Sequence, residues 1–337
     1  MNKRIEAVQA KMFDRQIDQL IVSDLTSIKY LTGSVVPLTQ FLLALVINQV
    51  GKPTLITFVA TLGKVTEEVV HARYLQHQDS VEFLAKYLQQ NSTIAIDKKF
   101  GFGYYQRIKQ HVQANFIVED IVDSVRLIKD ENEQASLRHA SLIADKVMNE
   151  VKSQLVVGVS ESEIKNFIKE RVMFHGGEGM SFDPTISFGP NTGVFKGPMR
   201  RLEQGDCVIL DFGCRYQGYC SDTTRFFTFR SNQEAVRLYE VVYAAQQAAY
   251  AVIKPGVKIK EAALAARKVI VDNGYGNNSY YHLGHGVGLG IHELFYVAVT
   301  NENEFQPGMC FSVEPGIYIP HQIGCRLDDL VLVTEDG

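Results

Sequence analysis

Apolar positions recur at helical spacing from the start of the chain. In residues 2–16, Ile5, Val8, Met12 and Phe13 predict an amphipathic helix, and residues 19–23 follow as a short strand. Asp24 stands where it can cap a helical turn carrying Ile28 and Tyr30, and Gly33 where that turn ends. The apolar runs 41–47 and 54–58, joined by a polar loop containing Gly51, predict a hairpin. Strand-like and helix-like pieces then alternate through 94–96, 104–112 and 116–118. Together these elements describe a small α/β domain of about 120 residues. It contains neither a metal-like cluster nor a glycine-rich phosphate loop, so a scaffold or oligomerisation role is expected of it.

Near Ser124 the pattern changes. Residues 130–151 read as a long amphipathic helix that Val156-Val157-Gly158 closes. Ser160-Glu161-Ser162-Glu163 reads as a capping box opening a further helix to about Phe174. From Pro184 onward strands dominate, interrupted by helices near 232–252 and 260–273. The boundary is placed near residues 120–126, giving an N-terminal domain over 1–122 and a C-terminal domain over 123–337. Glu335-Asp336-Gly337 is a hairpin-turn signal that ordinarily precedes another strand, so the expectation is a chain truncated there.

Composition narrows the function classes. With 337 residues the chain has room for two cores, and 46% hydrophobic with 21% charged residues is ordinary for a soluble globular protein. A net charge of −4 offers no basic excess for nucleic acid or an anionic membrane. The longest apolar run, 41–47, is too short to span a bilayer, and the N-terminus becomes charged at once, without a signal-peptide core. The five cysteines, Cys207, Cys214, Cys220, Cys310 and Cys325, are irregularly spaced and form no Cys-x-x-Cys. They read as small apolar residues in a reduced, cytoplasmic setting.

Candidate chemistry lies in the C-terminal half. Val208-Ile209-Leu210-Asp211-Phe212-Gly213 and Tyr219-Cys220-Ser221-Asp222-Thr223-Thr224 flank a short turn. With Tyr216 and Gln217 as a two-residue loop, the register sets Asp211 directly opposite Asp222. Two ionised carboxylates that close need a shared proton or a cation. A second hairpin, with its loop centred on His321, sets Glu314 opposite Asp328. Between them lies His282-Leu283-Gly284-His285-Gly286-Val287-Gly288-Leu289-Gly290-Ile291-His292-Glu293, whose glycines permit close backbone approach. Two carboxylate pairs and one imidazole suit two divalent ions about 3.5–4 Å apart, bridged by carboxylates and a hydroxide. The oxygen-rich donor set favours manganese first, with cobalt, zinc or iron as alternatives.

These segments resemble the pita-bread metallopeptidases: prolidase, Xaa-Pro aminopeptidase and methionine aminopeptidase. The likeness is carried by Leu210-Asp211-Phe212-Gly213, Ser221-Asp222-Thr223-Thr224-Arg225, Gly284-His285-Gly286-Val287-Gly288, Ile291-His292-Glu293 and Val313-Glu314-Pro315-Gly316-Ile317-Tyr318. Gly324-Cys325-Arg326-Leu327-Asp328-Asp329 matches less fully. Ile28-Lys29-Tyr30-Leu31-Thr32-Gly33 is similar to the creatinase/prolidase N-terminal domain, and Val125-Arg126-Leu127-Ile128-Lys129-Asp130-Glu131 to that family's interdomain stretch. The resemblance implies an α+β chain: a pita-bread C-terminal domain with a smaller α/β N-terminal domain, in a homodimer. It implies metal ligation by Asp211, Asp222, His285, Glu314 and Asp328. It also implies a proton-steering role for Glu314, an oxyanion- and substrate-binding role for His292, and His282 behind the ligands on the substrate side.

Three positions depart from the family pattern. Asp328 stands where a bridging Glu is usual, which shortens the reach by about 1.5 Å. Lys196 stands where a substrate-contacting histidine is common. Leu294-Phe295-Tyr296 follows His292-Glu293 where many prolidases carry a proline and a carboxylate-binding arginine. The substrate side is accordingly read as Lys196, His282, His292, Tyr296 and Arg326. The expected activity is hydrolysis of Xaa-Pro bonds in proline-containing peptides, as a dipeptidase or aminopeptidase, by a metal-bridging hydroxide. The alternative is a peptide-binding paralogue of the same fold, non-catalytic or of altered specificity.

Overall fold

The computed structural model describes residues 2–37, 39–61, 63–194, 197–228, 232–280 and 282–337. The chain forms two compact units, Met1–Arg126 and Leu127–Gly337.

The first unit runs α1 (Lys3–Asp14), β1 (Gln19–Val22), α2 (Leu25–Thr32), β2 (Ala44–Asn48), β3 (Thr54–Phe58), β4 (Val70–Tyr74), α3 (Ser80–Ala85), β5 (Thr93–Ile96), α4 (Phe102–His111), β6 (Asn115–Val118) and α5 (Ile121–Arg126). Its mixed sheet has the order β4-β3-β2-β1-β5-β6. β1 pairs antiparallel with β2 and parallel with β5, the pattern of an α/β layer. In α1 the stripe Ile5, Val8 and Met12 is buried as its spacing predicts, but Phe13, one residue off that stripe, is 71% exposed. Asp24 caps α2 by accepting from the Ser27 amide, and Gly33 closes it in the left-handed conformation at φ +67°. The hairpin around Gly51 is present, although its first strand starts at Ala44 rather than at residue 41. Phe41 lies before the strand, stacked on Phe58 with ring centroids 4.2 Å apart.

The second unit opens with α6 (Glu131–Val151) and α7 (Glu161–Phe174), the latter entered through the Ser160/Glu163 capping box. Then come β7 (Thr185–Phe188), β8 (Cys207–Phe212), β9 (Arg215–Tyr216), β10 (Tyr219–Cys220), β11 (Thr223–Thr228), α8 (Gln233–Tyr250) and α9 (Ile259–Asp272). The remaining strands are β12 (His282–Gly286), β13 (Glu293–Ala298), β14 (Cys310–Val313), β15 (Gly316–Ile319), β16 (Ile323–Arg326) and β17 (Asp329–Leu332). Two larger sheets result, β11-β8-β7 and β13-β12-β14-β17.

β8 explains how a carboxylate comes to lie inside this unit. Val208, Leu210 and Phe212 pack with Ile143 and Val147 of α6 and Ile164 and Ile168 of α7. Cys207 and Ile209 point the other way, into a core with Leu238 and Val242 of α8, Ala262 and Ala266 of α9, and Phe311 and Val313 of β14. The strand is therefore apolar on both faces, and its two-residue period makes Asp211 the next position on the second face. All five cysteines are buried with free thiols, and burial pushes Cys207, Cys214 and Cys310 up to about 11. Among the described residues, no helix is long and apolar enough to cross a membrane.

Candidate metal centre

The first hairpin turns at Gln217-Gly218, not at Tyr216-Gln217. Both residues have positive φ, +50° and +83°, the backbone hand that a two-residue hairpin loop demands and that glycine supplies best. Moving the loop by one residue moves the register by two. Asp211 therefore pairs with Thr224, whose Oγ1 donates to Asp211 Oδ1 at 3.1 Å. Asp222 lies between β10 and β11, so the direct Asp211–Asp222 pairing read from the sequence is not made. A two-residue shift preserves the face, however, and the two carboxylates still meet.

The second hairpin has the predicted register. β15 and β16 pair Gly316 with Arg326, and β14 and β17 pair Val313 with Asp329, which leaves Glu314 across from Asp328. His321 sits in the connecting turn at φ +58°. The Asp328 backbone exchanges two 3.2 Å hydrogen bonds with Thr224, so the two hairpins are tied together at the site. In consequence one oxygen each from Asp211, Asp222 and Asp328 lies within 4.8 Å of the others. Asp328 reaches the other two carboxylates despite its short side chain.

β12 brings the imidazole. Gly284 crosses β14 so closely that a methyl group there would lie 1.8 Å from the Ser312 carbonyl oxygen, and only glycine fits. Next to it, the His285 amide donates to Ser312 Oγ at 3.0 Å, and Ser312 Oγ donates to Glu314 Oε1 at 3.3 Å. His285 Nε2 then stands 3.5 Å from Asp222 Oδ2 and 3.4 Å from Glu314 Oε1. The His292 ring packs 4.2 Å from that of His285, centroid to centroid.

Charge balance at this cluster is poor. Burial, and then the charges of Asp211 and Glu314, push the Asp222 carboxyl well above the usual aspartate range. Burial followed by Asp222, Glu314 and Asp211 does the same to Asp328. Burial also raises Asp211 and Glu314, against the pull of Arg326. His285 and His292 are shifted below the usual imidazole range, chiefly by burial, and are neutral donors of a lone pair near neutral pH. The Arg326 guanidinium sits on Asp211, with Nε donating to Thr224 Oγ1 at 3.2 Å and Nη1 to the Tyr318 hydroxyl at 3.1 Å. Burial pushes that hydroxyl up to about 12. Asp328 Oδ1 is buried and has no hydrogen-bond partner among the described residues. A buried acceptor without a donor, inside a group of carboxylates that outnumber their cation, fits a hard divalent ion.

His282 and Tyr296 lie at the margin. His282 is exposed, its ring 5.3 Å from that of Tyr296, which is 54% exposed. Lys196 lies outside the described residues. The sequence reading did not single out Thr224, Ser312 or Tyr318. Thr224 is displaced by the register error, and the two others act through side-chain direction across strands, which no motif records.

Residues 135–335 match the model of metallopeptidase family M24, and residues 4–128 match the creatinase/prolidase N-terminal domain. The chain belongs to metallopeptidase family M24. It is 31% identical to an uncharacterized peptidase of Staphylococcus epidermidis, covering 99% of this chain and 97% of that one. A prolidase from Thermococcus sibiricus superposes with a TM-score of 0.90 at 27% identity, covering 99% and 94% of the two chains. The X-Pro aminopeptidase from Thermotoga maritima gives 0.80 at 26% identity over 96% and 95%. The second unit is thus the pita-bread domain of an M24 protein, and the family implies divalent metal ions. The first unit is its creatinase-type α/β domain.

Proposed function

We propose that this M24 chain is a cytoplasmic, homodimeric peptidase that hydrolyses Xaa-Pro bonds and uses two divalent ions, manganese first. Asp211, Asp222, His285, Glu314 and Asp328 would hold them. The observation that carries this reading is the buried carboxylate cluster itself, with Asp328 Oδ1 unpartnered among the described residues and a neutral imidazole at its edge. Bound divalent ions supply an acidified water and an electrophile for the peptide carbonyl. The chain supplies the rest. Glu314, only partly buried where Asp328 is closed off, is the carboxylate placed to take the proton from the attacking water and pass it toward the leaving proline nitrogen. His292 stands beside His285 and is assigned to the oxyanion. Arg326, braced by Tyr318 and Thr224, holds Asp211 in one orientation from behind and borders the substrate. His282 and Tyr296 form an aromatic rim for the peptide, and Lys196 is assigned to its carboxylate.

The test is turnover by the Mn²⁺-loaded full chain of a panel of Xaa-Pro dipeptides and Xaa-Pro-Xaa tripeptides. Release of the residue before proline is the expected result. Folded, Mn²⁺-loaded protein that cleaves neither set would overturn the assignment.

A further inference from the structure

A buried ion pair lies just outside the candidate centre. Lys129 Nζ stands 3.5 Å from Glu293 Oε2, with the two side chains only 1% and 7% exposed. A lysine is almost never buried so completely unless it is paired, and desolvating two charges offsets most of their attraction, so the pair is weak evidence of a purely stabilising role. The lysine is fixed at its base, where its amide donates to the Gly308 carbonyl at 2.9 Å. The glutamate immediately follows His292 in the chain.

Glu293 also closes the loop that delivers His292. Its Oε1 accepts from the Gly290 amide at 2.9 Å, while its backbone pairs with Gly286 at the other end of the loop. Within the loop the Gly288 amide donates to the Gly290 carbonyl at 3.0 Å, and the Gly288 carbonyl accepts from the Cys220 amide at 2.8 Å. The carboxylate lies flat against Gly288: a methyl group there would come within 2.5 Å of Oε2. One carboxylate therefore holds the loop with one oxygen and the buried lysine with the other.

We infer that Lys129 and Glu293 are positioning residues for His292, with Gly288 kept free of a side chain to admit the glutamate. The pair fixes the loop 286–293, and the loop fixes the direction of the His292 ring against His285. This inference rests on the reading of His292 as a group that meets the substrate, but its structural half can be measured without turnover.

Glu293→Gln, Gly288→Ala and Lys129→Met with Glu293→Gln combined are compared with the parent as Mn²⁺-loaded full chains. Gly288→Ala displaces the carboxylate without changing any charge, so it serves if Glu293→Gln folds poorly. Loss of a supporting group of this kind lowers kcat by about 10–100-fold. The expected result is that loss in all three variants, with KM and Mn²⁺ content unchanged. Removing both charges together is expected to restore Tm but not kcat. Recovery of kcat along with Tm would reduce the pair to a stabilising role and overturn the inference, as would unchanged kcat in Gly288→Ala and Glu293→Gln. The ¹⁵N-histidine side-chain signals of the metal-free chains, where no paramagnetic Mn²⁺ broadens them, give a second reading, with His292 assigned by its loss in His292→Gln. A shifted His292 signal in Gly288→Ala and Glu293→Gln supports positioning even if the parent proves inactive, an outcome that would sink the peptidase reading alone. An unmoved signal overturns positioning whatever the activity.

Discussion

Each unit gathers carboxylates at the ends of its strands, and the two groups are balanced in opposite ways. In the first unit Asp24, Asp97 and Asp120 follow β1, β5 and β6. Asp97 accepts from the amides of Ser23, Asp24 and Lys99, and Lys98 bridges Asp120 and Asp123. Burial works against the charge on Asp24, yet Lys99 and Ser27 hold its carboxyl below the usual range. In the second unit burial drives both Asp222 and Asp328 well above that range, and the charges of Glu314 and Asp211 add to it. The residue type is the same in both places. What differs is how far the chain supplies its own donors: in the second unit Arg326 and Thr224 reach Asp211 and Ser312 reaches Glu314, while Asp328 Oδ1 has no partner among the described residues and suits a cation from outside.

The largest effect expected from breaking this contrast comes from Asp222→Asn. It should abolish Mn²⁺ uptake and turnover, while raising the Tm of the metal-free protein because a repelling charge is gone. Metal analysis and thermal unfolding check both halves. His292→Ala should lower kcat by about 100–1,000-fold, the range for one oxyanion donor, and leave Mn²⁺ content unchanged. In the first unit the sign reverses. Asp97→Ala strands three amide donors and should destabilise the protein by about 1–3 kcal/mol, read by denaturant unfolding, with no effect on metal.

The smallest effect sharpens the comparison through pH. A carboxyl whose folded pKa is raised stabilises the fold below its unfolded pKa, and that contribution is lost as pH rises through the folded value. Asp222 and Asp328 therefore make the metal-free protein less stable from mildly acidic toward neutral pH. Asp24, with its pKa depressed, behaves oppositely: its contribution is present above the unfolded pKa and disappears only as pH falls through the folded value. The Tm gain on adding Mn²⁺ should accordingly grow with pH over the first of these windows and disappear in Asp222→Asn.

Much of this organisation was legible in the sequence because local rules and tertiary demands agree. The Asp24 and Ser160 caps, the Gly33 stop and the helices of the second unit all rest on side chains acting within a few residues. The Glu314–Asp328 register was readable because the turn at His321 is symmetric about it. The first hairpin was misread by one residue, since Gly218 takes a positive φ more easily than Tyr216 and pulls the loop onto itself. Phe13 was read onto the helical stripe by its spacing and Phe41 into the first hairpin strand by its apolar run, and the structure leaves both well exposed. The bracing of Asp211 by Arg326, Thr224 and Tyr318 depends on strands far apart in sequence. No spacing rule reaches that distance.

The most direct measurement is Mn²⁺ binding to the folded, metal-stripped chain, followed by calorimetry and by metal analysis after dialysis. The account predicts about two ions per chain, the number the proposed dinuclear site would hold, and none retained by Asp222→Asn. A parent protein that stays folded and holds no divalent ion would mean that its inner acids persist by sharing protons, and the proposed chemistry would fall with them.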